Sequence, residues 1–167
     1  MDQTQSLSLL LAKRALRKKL AEDPQGLQEE LQLDDAALAF LRGLDSSDLE
    51  SQADCLVNKR FHEVRGIIPR TVKGLGEEAR ALFRSYAEED WPVSHKRHLL
   101  DSEAFAKYCV SLGLSGVDPF ELNRLGFRLR GWPFSLRVVR DEGLEGRRGW
   151  RIHFLCNFLG RLVERRW

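Results

Sequence analysis

The stretch "WPFSLRVVRDEGLEGRRGWRIHFLCNF", Trp132 to Phe158, decides the fold, because the spacing of apolar residues changes within it. Phe134, Leu136 and Val138 alternate with Ser135, Arg137 and Val139, and Trp150, Ile152, Phe154 and Cys156 alternate with Arg151, His153 and Leu155. A period of two puts successive side chains on opposite faces of an extended chain, so both runs read as half-buried strands. Between them "DEGLEGRRG", Asp141 to Gly149, holds three glycines and is too long for a two-residue turn. The pattern predicts an antiparallel hairpin with a mobile tip. A lone hairpin is marginal in water, so one face must lie on the rest of the protein. The more apolar set, with Trp150, Ile152 and Phe154, is expected to face inward, leaving Arg137, Arg151 and His153 outside.

Everything upstream reads as helix. From Thr4 to Leu20, Leu7, Leu10, Leu11, Ala15, Leu16 and Leu20 recur at helical spacing with most cations on another face, as in an amphipathic helix. Asp23-Pro24 supplies a cap and a first-turn proline for a second helix carrying Leu27 and Leu31. Asp34 and Asp35 start a third, closed by Gly43, and Ser46 or Ser47 starts a longer one that Pro69 stops. A further helix ends near Asp90. Asp101 or Ser102 is expected to cap "EAFAKYCVSL", with Gly113 terminating it, and Asp118-Pro119 opens a last short helix through Leu125. The fold class is therefore mainly α with a small C-terminal antiparallel β-hairpin, a helical domain over 1–128 and an arginine-rich hairpin region over 129–167.

Composition narrows the function classes. With 43% hydrophobic and 31% charged residues in 167, the chain suits one ordinary core and lies far from the disordered corner. Its longest early apolar run, Leu7 to Ala12, is too short to span a bilayer and lacks the leading charge of a signal peptide, which points to a cytoplasmic protein with no membrane partner. Cys55, Cys109 and Cys156 are widely spaced with no CxxC pair, so neither a disulfide framework nor a zinc clip is expected. The net charge of +2 conceals an asymmetry: residues 1–118 carry −4 and residues 119–167 carry +6, with eleven arginines and no lysine in the latter. Guanidinium forks bind carboxylates, phosphates and aromatic faces in fixed geometry, so a partner is sought at this end.

Gly74-Leu75-Gly76-Glu77-Glu78-Ala79 fits the GxGxxA spacing of a dinucleotide-binding turn. That turn needs a buried strand ahead of it, whereas Pro69, Arg70, Thr71 and Lys73 precede this one, and Glu77 and Glu78 would repel a phosphate. The glycines read instead as a bend between helices. His95 and His98, three apart, with His62 farther away, form no recognisable metal-ligand pattern with carboxylates. No serine lies in a GxSxG elbow and no cysteine has a neighbouring base. The expectation is a chain with no catalytic residue, no metal and no cofactor. Its candidate partner- or peptide-binding residues are Arg137, Arg140, Arg147, Arg148, Arg151 and His153. Arginines interleaved with Trp150, Phe154, Phe158 and Trp167 also suit a single-stranded nucleic acid, which stands as the alternative.

Residues Leu56 to Gly113 resemble the helical core of a bacterial family that carries a DNA-binding-domain label. Arg60, Arg65, Pro69, Leu75-Gly76, Phe83, Tyr86, Pro92 and Phe105 stand at comparable points. The segment is also similar to the accessory subunit of methanobactin biosynthesis, which works beside an iron-dependent peptide-modifying enzyme. The resemblance implies a non-catalytic partner protein that helps present a precursor peptide. It carries over no active-site residue, and Met1 to Leu44 and the hairpin match only loosely.

Overall fold

The computed structural model describes residues 3–141, 149–158 and 161–166. Its described elements are α1 (Gln3–Ala12), α2 (Arg14–Glu22), α3 (Pro24–Leu31), α4 (Asp35–Arg42), α5 (Ser46–Ile67), α6 (Pro69–Leu75), a 3₁₀ turn (Gly76–Glu78), α7 (Ala79–Glu89), α8 (Arg97–Ser111), α9 (Pro119–Arg130), β1 (Phe134–Asp141), β2 (Gly149–Phe158) and β3 (Arg161–Arg166). The protein is mainly helical with a small antiparallel sheet of order β1-β2-β3. Among the described residues no helix is long and apolar enough to cross a membrane. The chain divides into two compact units, Met1–Phe61 with Arg84–Trp91, and His62–Phe83 with Pro92–Trp167.

In the first unit, Leu10, Leu16, Leu27, Leu33, Ala37 and Leu41 form a buried cluster, and the helical periodicity singles out Leu10, Leu16 and Leu27 among them. The single helix expected over 4–20 is two. Lys13 adopts an extended conformation between α1 and α2, and the Arg17 guanidinium donates to the carbonyls of Leu10 and Leu11 that the break sets free. The same guanidinium pairs with Glu50 at 2.8 Å. Asp23 and Asp34 cap α3 and α4 through their side chains. Asp45, rather than either following serine, caps α5, accepting from the amides of Ser47 and Asp48. Buried Arg60 lies 4.6 Å from the Trp91 ring centroid and donates to the Asp90 carbonyl at 2.9 Å, holding the end of α7 by cation–π and hydrogen-bond contacts.

In the second unit, Phe83 and Phe105 meet edge to face with centroids 5.1 Å apart. Gly76 has φ of +64°, a conformation that suits glycine, and carries the chain from α6 into the 3₁₀ turn. A side chain at Gly74 would collide with the Gly116 carbonyl, so two glycines let these backbones cross. Buried Glu121 accepts from the amides of Arg70 and Thr71, satisfying the open N-terminus of α6. Helix α8 begins at Arg97, ahead of the caps expected at Asp101 or Ser102. Asp101 and Ser102 lie inside it and are buried, and the Ser102 hydroxyl donates to the His98 carbonyl one turn back instead of capping. Asp118 caps α9 by accepting from Phe120 and Glu121, and α9 continues past Leu125 to Arg130 before Gly131 turns left-handed.

The C-terminal region holds one strand more than the expected hairpin. The sheet has three strands, since β3 pairs with β2 along Phe154↔Arg165, Leu155↔Glu164 and Cys156↔Val163. Helix α9 and the strands fall in one unit, and the sheet rests a face on that helix.

Candidate functional site

The register of the sheet sorts its side chains onto two faces. Ser135, His153 and Leu155 lie on one and are all buried, with Ser135 paired to Leu155 and Arg137 to His153. Phe134, Leu136, Val138, Trp150, Ile152, Phe154, Cys156, Val163 and Arg165 occupy the other by strand alternation. The inner face rests on α9. His153 is fully buried and meets the Phe120 ring at 5.0 Å and 85°. Its Nδ1 lies 3.1 Å from the Asn123 amide nitrogen and its Nε2 lies 3.0 Å from Glu164 Oε1. An amide nitrogen can only donate, so Nδ1 accepts and the ring proton sits on Nε2, from which it is donated to the Glu164 carboxylate. Arg124 stands 3.8 Å from the other Glu164 oxygen and donates to the Ile67 carbonyl at 2.9 Å. The cluster ties α9 to β2 and β3.

The opposite face is open. Trp150 is 73% exposed, Phe134 65%, Leu136 63% and Val138 59%, with Ile152 and Val163 near 40% (41% and 39%). Six large apolar side chains on one face of one sheet form a contiguous patch, which ordinary surfaces do not carry without a use. By the same register Arg140, Arg161 and Arg165 belong to this face, and Arg165 is exposed. Trp132, 45% exposed, lies just before β1 with the Arg130 guanidinium 4.9 Å from its ring centroid.

The expected inside and outside are thus exchanged. Alternation identifies two sets but does not say which set faces in, and the more apolar one faces out. The reason lies on α9, whose Phe120, Asn123 and Arg124 supply a ring, an amide and a cation that a histidine can use. The polar residues within the helical stripe Phe120, Asn123, Arg124 and Phe127 were a sequence signal for a polar partner. Glu164, the other half of that partnership, lies on a strand the alternation reading did not recognise. Of the candidate residues, Arg137 is exposed, Arg151 is half-buried and His153 is buried and cannot face a partner. Arg147 and Arg148 lie outside the described residues, as does the side chain of Arg140, whose backbone pairs with Trp150.

Other chemistry finds little support among the described residues. No group of three or more histidines, cysteines and carboxylates comes together to hold a metal. Buried Cys109 has its thiol pushed up to about 11 by desolvation, which keeps it un-ionised and unreactive. Gly74 lies within α6 and Gly76 directly follows it, so neither comes after a strand and both lack the setting of a pyrophosphate turn. A cleft of about 580 Å³ in the first unit has Arg14, Arg17, Lys18 and Arg42 around Leu20, Leu41, Leu44 and Leu49. Arg17 and Arg14 there are already paired with Glu50 and Glu88.

Residues 40–111 match the family described as SCO6045-like, C-terminal domain. The match runs from the end of α4 through α8 and stops before α9 and the sheet. No curated protein and no solved structure matches the chain significantly.

Proposed function

We propose that this chain is a non-catalytic, cytoplasmic accessory protein that binds a partner protein through its C-terminal sheet. The observation that carries the reading is the solvent-exposed apolar face of Phe134, Leu136, Val138, Trp150 and Ile152. Exposed aromatic and aliphatic side chains of this density are what interface cores are made of, with Trp and Arg the commonest anchors. Strands β1 and β3 are the outer strands of the described sheet, the position at which an extended peptide can join one. The resemblance of residues 56–113 names the kind of complex: an accessory subunit beside an iron-dependent peptide-modifying enzyme, presenting a precursor peptide.

Affinity recovery from the native host tests this. Wild-type protein should retain a stoichiometric partner, and Leu136→Asp and Trp150→Asp should lose it while remaining folded. Recovery of the chain alone in gentle salt, or equal recovery with the variants, would overturn the reading.

Nucleic acid is the second reading, favoured by Trp150 standing exposed on the same face as Arg165, as a base-stacking platform would. It requires retention that falls steeply with salt, whereas apolar docking holds as salt rises.

A further inference from the structure

We propose that the open face of the sheet receives a single amphipathic helix of the partner, with an apolar seam and flanks of Asp and Glu. The inference rests on the partner-binding reading and adds the chemistry of the partner.

Shape comes first. The sheet is already covered by α9 on its inner face, and a strand face is completed by a layer packed on it, whereas a strand edge is completed by another strand. Three strands about 4.8 Å apart span roughly 10 Å, which is about the diameter of one helix. Phe134, Leu136 and Val138 on β1, Trp150 and Ile152 on β2 and Val163 on β3 line the two sides and floor of such a seat.

Charge disfavours a second copy as the occupant, since two copies face to face would bring the exposed Arg165 against the same face of a like-charged unit.

Charge then fixes the flanks. Residues 119–167 hold eleven arginines and five acids. Glu121 and Glu164 are taken up internally, by the amides of Arg70 and Thr71 and by His153. Arg165 is exposed on the open face, and Arg161 and Arg140 stand at register positions beside Phe158 and Trp150. A helix with carboxylates beside its apolar seam complements this surface, and one with lysines is repelled.

The test uses two synthetic 18-residue peptides of identical leucine seam, one flanked by Glu and one by Lys, titrated by calorimetry against the full chain. The Glu peptide should bind at least tenfold more tightly than the Lys peptide. Leu136→Asp and Trp150→Asp should each weaken it at least tenfold, and Val93→Asp, at an exposed position off the sheet, should not. Arg165→Glu should narrow or reverse the preference. Equal binding of the two peptides, or binding of neither, overturns the inference. So does dimerisation in sedimentation that Leu136→Asp abolishes, or capture by phosphatidylserine vesicles through the same face. If the peptides fail while the host pull-down still depends on Leu136 and Trp150, the partner reading stands and only the acidic helix falls.

Discussion

His153 and Trp150 are three residues apart on one strand and have opposite fates. The imidazole is held by Asn123, Glu164 and the edge of Phe120 with no exposed surface. The indole, nearly the largest apolar group available, stands in water. Burying a polar ring is tolerable only where both nitrogens are satisfied, and removing it leaves the Asn123 donor and the Glu164 carboxylate without it. We expect His153→Ala to cost about 2–4 kcal/mol in chemical denaturation, while Trp150→Ala stays within about 1 kcal/mol of wild type. A sequence reading that buries the tryptophan predicts the reverse order, so measuring both variants decides between the two faces. This was the least legible level of the structure. Alternation is a local property of the strand, whereas the choice of face depends on α9, some thirty residues earlier in sequence, and on β3, which follows.

At the scale of elements the sequence was far more readable, and its failures share a cause. Asp23, Asp34 and Asp118 cap the helices that their positions predicted. The apolar spacing picked out Leu10, Leu16 and Leu27, which are in the core. Where boundaries shifted, a side chain served a neighbouring turn in a way that periodicity does not register. Arg17 satisfies carbonyls that a break at Lys13 exposes, so a pattern continuous in hydrophobicity is discontinuous in backbone. Ser102 bonds one turn back, so a residue type favoured at caps sits inside α8. Asp45 offers a test of this level. Its carboxyl lies below the ordinary value of 3.8, chiefly because the Asp48 amide, and then Ser47, donate to the charged form. A carboxyl lowered in the folded state contributes stability above its unfolded value, and that contribution disappears as pH falls through the lower folded value. Below pH 4, then, the first turn of α5 should fray before the protein unfolds. Protection of the Ser47 and Asp48 amides, taken relative to the intrinsic exchange rate at each pH, should fall at low pH in wild type and be low at all pH values in Asp45→Ala. Unchanged protection of these amides at low pH would remove Asp45 as the cap.

For the molecule as a whole, composition and period settled the fold class, and the family match to residues 40–111 adds a helical segment that ends before the sheet. The proposed function lives on what that segment does not cover. The concentration of arginine after residue 118 drew attention to this end of the chain, but the surface there is organised around apolar side chains, with Arg165 among them and His153 sealed beneath. The account depends on that one assignment of faces. Hydroxyl-radical footprinting of the isolated protein, read by mass spectrometry, measures it directly. Trp150, Phe134 and Leu136 should be oxidised readily, with His153 and Leu155 protected, and the first three should become protected when the recovered partner is added. Protection of Trp150 in the isolated protein, together with a reactive His153, would contradict the account.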